Sequence, residues 1–320
     1  MDRRTLLLAS LSIAGYQGLA SAEDVFPLKP IKVTTPFAPG SSDLIVRKLG
    51  DHIGKRWKQP VVVETRPGAQ GTLASKAMVT AKPDGYSLLL GTNSTHAASK
   101  YIFKNLGYDP IKDFTPIIQL TNNPQLLVIS SDLPVNNLKE FIAYARQNSG
   151  RLSFGSGNTG SLVAAEMLKR QAGFEAVAVN YQGNSQAIQD FVAGRLDFMV
   201  TDPLIVNPFL QGGKIKVLGI TTKERLPNFP NVVPLAEQGL PDFEYASWVG
   251  LFAPAGLPEK IADQLHEEFA QALIAPDVVQ FLTRLGMLPV RKKRSEFSGF
   301  VQEQIKLWEK LSSDAGLVPA

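Results

Sequence analysis

Short apolar runs rich in β-branched residues punctuate the chain, and longer stretches with apolar positions three or four apart lie between them. IKVTTPF (31–37), VVVE (61–64), YSLLLGT (86–92), FTPIIQL (114–120) and QLLVIS (125–130) predict strands. Between the first two lies SSDLIVRKLGDHIGKRW (41–57), where Ile45, Leu49, Ile53 and Trp57 fall four apart on one helical face. The pattern then restarts. LSF (152–154), AVAV (176–179), DFMVT (197–201) and KVLGITT (216–222) predict further strands with helix-like stretches between them, and SWVGLFAP (247–254) predicts one more buried strand. From Pro258 onward the pattern is helical, with amphipathic stretches near 259–274, 276–285 and 295–312. Such alternation predicts α/β layers with mainly parallel sheets.

The first residues follow another pattern. Arg3 and Arg4 precede an apolar run from Thr5 to about Ala20, and Ala20-Ser21-Ala22 has the small-x-small form of a cleavage site. This predicts an export leader, residues 1–22, removed after Ala22. The run is short for a bilayer core about 30 Å thick. The paired arginines are compatible with either general or twin-arginine export. The sequence has no Cys, so neither disulfides nor a lipidated cysteine is expected, and the prediction is a free protein of the periplasm. A net charge of +4 is mild. The one dense basic run, RKKR at 291–294, reads as a solvated face, and no nucleic-acid partner is expected.

Two strand–loop–helix openings carry the candidate chemistry, VTTPFAPGSSDLIVRKL and LSFGSGNTGSLVAAEML, and GTNSTHAA (91–98) is a third small, polar turn after a strand. Helix starts have unpaired N–H groups and a positive dipole end, and Gly, Ser, Thr and Asn let an anion approach them closely. In open α/β sheets such loops lie at the carboxyl ends of strands, where ligands bind. These loops hold no Lys or Arg, which suits a carboxylate held by neutral donors better than a phosphate.

Gly155, Gly157 and Gly160 also spell the G-x-G-x-x-G of a dinucleotide site. That site wants an acidic residue at the end of the next strand to bind the ribose. Here Asn180 and Tyr181 stand at that tip, so no nicotinamide cofactor is expected. No G-x-S-x-G elbow is present. Three His and no Cys leave little for a metal site, and His52 and His266 read as solvent-facing helix residues. No catalytic constellation emerges, and neither cofactor nor metal is expected. An exported enzyme using the same cleft is the alternative reading.

The long opening KPIKVTTPFAPGSSDLIVRKLGDHIGKRWKQPVVVETRPGAQGTLASKAMVTAKPDGYSLLLGTNSTHAAS closely resembles that of the tripartite tricarboxylate transporter receptors, also called Bug receptors. LSFGSGNTGSLVAAEMLKRQAG, VNYQGNSQAIQDFVAGRLDFMVTD and GITTKERLPNFPNVVPLAEQGLPDFEYASWVGLFAPAGLP resemble the family's later motifs, in order. The resemblance implies a two-domain periplasmic binding protein of the type II, Venus-flytrap kind. Each domain would hold a mostly parallel sheet, with the ligand cleft between them. Domain 1 would be 27–122 and 245–320, domain 2 would be 123–244, and hinges would lie near Thr121-Asn122-Asn123 and Asp242-Phe243-Glu244. Such a monomer closes on a small carboxylate (a di- or tricarboxylate, an aromatic acid or an acidic amino acid) and serves an inner-membrane transporter or a sensor protein. Binding, not catalysis, is the implied role.

Carried onto this chain, the family's contacts fall at Phe37, Gly40, Ser41, Ser42 and Asp43; at Thr92, Asn93, Ser94 and His96; at Ser156, Gly157, Asn158, Thr159, Gly160 and Ser161; and at Tyr181, Thr201 and Asp202. The Gly40 and Gly160 loops would take opposite ends of one ligand. Two positions depart from the family pattern. Ser41 stands where a second Gly is usual, and Gln70 replaces a Gly in the segment Thr65 to Gly71. Asp202 has two readings, recognition of a ligand ammonium or an N-cap preceding Pro203. The Asp-Pro order favours the cap, and with it a carboxylate without an amine.

Overall fold

The computed structural model describes residues 26–314, together with 316 and 319; the expected leader lies outside the described residues. Two sheets organise the chain. The first takes β1 (Ile31–Thr35), β2 (Val61–Thr65), β3 (Ser87–Thr92) and β4 (Phe114–Pro124), and the second takes β5 (Leu126–Ser130), β6 (Leu152–Ser156), β7 (Ala176–Asn180), β8 (Phe198–Thr201) and β9 (Ile215–Ile220). The chain then returns to the first sheet with β10 (Ala246–Pro254) and the short β11 (Leu288–Pro289).

The strand orders are β2-β1-β3-β10-β4-β11 and β7-β6-β8-β5-β9. Each sheet therefore places its own first three strands as second, first, third. A strand that has just crossed from the other sheet comes next, and then the fourth. Pairing is parallel among the first three strands and antiparallel on both sides of the crossing strand. Four strands of each sheet thus share one direction, as expected. The sheets are nonetheless mixed in their pairing, because β5 and β10 enter from the opposite lobe.

Helices cover the sheets. α1 (Ser41–Trp57) and α2 (Thr72–Val79) follow β1 and β2, while a single π-helical turn (Ser94–Ala98) and α3 (Ser99–Ile102) follow β3. In the second lobe α4 (Leu138–Gln147) precedes β6, and α5 (Thr159–Ala172), α6 (Asn184–Val192) and α7 (Pro203–Val206) follow β6, β7 and β8. α8 (Glu259–Leu273), α9 (Pro276–Arg284) and α10 (Arg294–Asp314) close the chain. α1 has the span its periodicity predicts. Ile45, Leu49 and Ile53 are fully buried, and at roughly 1.5–3 kcal/mol each they anchor the helix to the first sheet. Trp57, last on that face, meets Phe26 edge-on at 5.7 Å. His266 differs from expectation. Its Nδ1 lies 2.9 Å from the Ile117 carbonyl, so it is packed against β4 instead of facing solvent. His52, also expected in solvent, is half-buried.

The two chain crossings are tied together where they pass. Gln125 N donates to Thr221 Oγ1 (2.9 Å) and Thr221 N to the Gln125 carbonyl (2.9 Å). Tyr245 N in turn donates to the Thr221 carbonyl (2.8 Å), and Thr221 Oγ1 to that of Tyr245 (2.7 Å). Every backbone and hydroxyl group in this knot has a partner, as buried polar groups require. It sets both crossing strands at the floor of the space between the lobes.

Candidate functional site

A cavity of about 70 Å³ lies between the lobes, on the order of five waters' worth of space. Its walls are the carboxyl ends of strands from both sheets, the expected place for a ligand in an α/β fold. The first lobe contributes Phe37, Ala38, Gly40 and Ser42 after β1, and Thr92, Asn93 and Ser94 after β3. The second contributes Gly157 and Asn158 after β6, Gly183, Asn184 and Ser185 after β7, and Asp202 and Ile205 after β8. The crossing strands supply Asn123, Gln125, Ser247, Trp248 and Val249.

Two helices of more than two turns begin at this cavity without a side-chain cap. α1 starts after Gly40 and α6 after Gly183; each glycine's carbonyl takes the third N–H of its helix, but neither has a side chain to cap the first two. The two starts face each other across the lobes. A methyl added at Gly40 would lie 3.6 Å from Ser185 Oγ, and one at Gly183 would lie 3.6 Å from Ala38 Cβ. The Gly183–Ser185 turn, and not the Gly160 loop, is therefore the opposite number of Gly40. α5 is different: Asn158 accepts from Ser161 N at 2.9 Å in a complete capping box. Among the described residues, no Lys, Arg or His lines the cavity, and Asp202 is the one ionisable carboxylate that does.

Several wall groups have no hydrogen-bond partner although they are buried: Thr92 Oγ1, Asn123 Oδ1, Gln125 Oε1 and Asn184 Nδ2. Leaving such groups unpaired costs about 1–3 kcal/mol each. A ligand that meets them recovers that cost, and either amide of Asn123 and Gln125 can turn its oxygen or its nitrogen inward.

The three glycines of the G-x-G-x-x-G segment serve packing. A methyl at Gly155 would lie 2.7 Å from Leu196 Cδ1; at Gly157, 2.0 Å from both Gly183 C and Asn184 N; at Gly160, 2.5 Å from Tyr245 Oη. Gly157 N also donates to Asn184 Oδ1 (2.8 Å), which accepts from Ser161 Oγ as well (3.1 Å). These glycines let the β6–α5 loop press against α6 and against the crossing strand.

Of the other residues singled out in the sequence, Ser41 opens α1. Asp43 turns away from the cavity: it accepts from Thr35 Oγ1 (2.8 Å) and pairs with Arg47 at 3.0 Å, pinning α1 to the end of β1. His96 is sealed in the first lobe, stacked on Phe252 with centroids 3.8 Å apart. Burial pushes its imidazole down to about 3, so it is neutral. Ser156 and Ser161 bond the Asn158 carbonyl beneath the loop. Thr159 Oγ1 reaches Gln70 Oε1 across the lobes at 3.4 Å. Tyr181 bonds Asp190 (2.8 Å), and Thr201 is buried behind Asp202 with its hydroxyl unpartnered.

Asp202 occupies the position before α7, but its side chain makes no capping hydrogen bond. The cap reading is therefore corrected: the carboxylate lines the cavity instead. Wall residues that the sequence reading did not assign to the site include Asn123, there read as hinge, Gln125, Ile205, Val249 and the Gly183–Ser185 turn. Gly183-Asn184-Ser185 did carry a signal, since it repeats the glycine-then-small-polar order of the other loops. Asn123 lies near the end of β4 in a polar segment that resembles a turn, and Gln125 joins β4 to β5, so neither carried a site signal.

The paired sheets, the two crossings and the cavity between strand ends define a two-domain solute-binding protein. Residues 45–317 match the model of the tripartite tricarboxylate transporter family receptor, and the chain belongs to that family. An adipate-bound structure from R. palustris superposes with TM-score 0.89 at 30% identity, covering 92% of this chain and 100% of the other. MatC from Rhodopseudomonas palustris, with bound malate, gives TM-score 0.83 at 35% identity, covering 89% and 99%. The periplasmic binding protein BugD gives 0.85 at 27%, covering 92% and 100%. The relatives are solute-binding receptors. Among the described residues, no helix is long and apolar enough to cross a membrane.

Proposed function

We propose that this protein captures a small dicarboxylate between its lobes in the periplasm and presents it to a membrane transporter or to a sensor protein. One observation carries the reading: two helix starts without side-chain caps, α1 and α6, oppose each other across a cavity that no Lys, Arg or His among the described residues lines. Helix N-termini favour negative charge, and two of them suit a ligand with two anionic ends. The adipate and malate bound to the two R. palustris structures are ligands of that kind. Phe37, Gly40, Ser42, Thr92, Asn93, Ser94, Gly157, Asn158 and Asp202 are the binding residues in this reading, joined by Asn184 and Ser185. Asp43, His96 and Tyr181 support the walls from behind. The alternative, an enzyme in the same cleft, could not draw on His96, which is stacked inside the first lobe and held neutral.

A thermal-shift panel of mono-, di- and tricarboxylates and acidic amino acids, on protein stripped of ligand, tests this reading. At about 100 times Kd a ligand adds roughly 2.7 kcal/mol, which raises Tm by roughly 5–10 °C for a protein of this size. At least one dicarboxylate is expected to do so and to be recovered chemically unchanged. A flat panel overturns the proposal, and turnover of the ligand favours the enzyme.

A further inference from the structure

The proposed function leaves one group unexplained. Asp202 is a carboxylate in the wall of a cavity read as a carboxylate site, and among the described residues no Lys, Arg or His stands in that wall to neutralise it. It is half-buried, as a residue of a cavity wall must be. Its side chain caps no helix. Three donors stand near it, one of them its own backbone N–H, which favours the ionised form. The Asn184 amide favours its ionised form without reaching hydrogen-bond geometry, and Asn184 Nδ2 has no partner. The Tyr245 phenol also feels its charge, and its oxygen accepts from Asn93 Nδ2 (3.2 Å). Burial is nonetheless the larger influence and pushes the Asp202 carboxyl above the usual range. The protein's own donors thus leave the carboxylate under-satisfied.

We infer that Asp202 selects a small dicarboxylate bearing a hydrogen-bond donor, a hydroxyl or an ammonium group, over the unsubstituted dicarboxylate. This inference rests on the carboxylate reading of the cleft. A plain ligand sets methylene against Asp202, leaves it unpaired and brings like charge near it. A ligand donor removes the first penalty and offsets the second. A site built to hydrogen-bond a ligand group discriminates strongly against analogues lacking it, because its own buried polar atom is then stranded. Repulsion of the wrong ligand contributes as much here as attraction of the right one.

The test uses matched sets at several chain lengths: succinate, malate and aspartate; glutarate, 2-hydroxyglutarate and glutamate; adipate and 2-aminoadipate. Each is titrated calorimetrically into the ligand-stripped protein and into Asp202→Asn, with the apo melting temperature of both recorded. In the best-fitting set the donor-bearing acid is expected to bind the unmutated protein at least tenfold more tightly than the plain one. If the donor is ammonium, Asp202→Asn abolishes the preference; if it is hydroxyl, the preference shrinks to about threefold, since an amide oxygen still accepts. Equal binding of plain and substituted acids overturns the inference while sparing the carboxylate reading. So does a preference kept in full by Asp202→Asn. Plain acids that bind best and weaken as pH rises would identify Asp202 as a protonated donor, which also overturns it. No binding by any member overturns both the inference and the carboxylate reading. Should Asp202→Asn fail to fold, Asp202→Glu serves instead. It keeps the charge but displaces it, and the preference is expected to fall at least threefold; an undiminished preference counts against the inference.

Discussion

Gly157→Ala examines how the cleft is built. The added methyl would sit 2.0 Å from Gly183 C and Asn184 N, about 1.5 Å inside ordinary contact. Both atoms are backbone, so no rotamer change relieves the clash; the β6–α5 loop and the start of α6 must separate. Overpacking of this kind costs about 1–3 kcal/mol. The hydrogen bond from Gly157 N to Asn184 Oδ1 (2.8 Å) is lost with it, for about 1 kcal/mol more. The expected loss of stability is therefore about 2–4 kcal/mol. Binding suffers separately, because the start of α6 moves off its station opposite Gly40. Losing one hydrogen bond to a charged ligand costs roughly 1.5–3 kcal/mol, or about 10- to 100-fold in affinity. Gly212→Ala is the control, since nothing lies within 4 Å of a methyl there. Denaturant titration gives the stability, and calorimetry with the best dicarboxylate gives the affinity. A Gly157→Ala protein of unchanged stability that binds within threefold of the original would refute the reasoning.

Two further variants probe the surroundings. His96 is neutral in the folded protein, with its imidazole lowered from 6.5 to about 3, so only the unfolded chain takes up its proton between those values. Stability should fall as pH drops from about 6.5 to 3, by as much as about 4–5 kcal/mol from this group. His96→Asn should flatten that slope in denaturant titrations at pH 7, 5 and 4, and an equal slope in both proteins would count against it. Gly160→Ala puts a methyl 2.5 Å from Tyr245 Oη and 3.0 Å from Asn93 Nδ2; since these lie on the crossing strand and the first lobe, full closure should be blocked. Affinity is expected to drop at least tenfold, and an unchanged Kd would show that the loop has slack.

Much of the scaffold was legible in the sequence. α1 was, because Ile45, Leu49 and Ile53 mark one buried face and Gly40 marks its start. The last three helices were legible for the same reason. β4 was read as ending at Leu120, yet it runs to Pro124. Its polar end, Asn122-Asn123, resembles a turn in sequence, but it pairs with Trp248 and Ser247 of β10 as it enters the cleft. That pairing joins residues more than 120 positions apart, and no local pattern reveals it. His96 shows the same limit: its turn is polar, and it is Phe252 on β10 and Phe114 on β4 that make its ring a core residue. Gly160 was read as an anion cradle, while its absent side chain makes room for Tyr245. Asp202 has the sequence of a cap, and only the absence of a capping bond directs it to the cavity.

In the proposed function a carboxylate is held by neutral donors in the cleft between the lobes. Titration calorimetry of the stripped protein with its best dicarboxylate, repeated at about 50 mM and about 500 mM salt, measures this directly. One ligand per chain is expected, with an affinity that changes less than about threefold, because buried dipoles are screened far less than surface charges. No binding heat with any carboxylate, or an affinity that falls tenfold or more with salt, would contradict the account and point to exposed cations as the anion site.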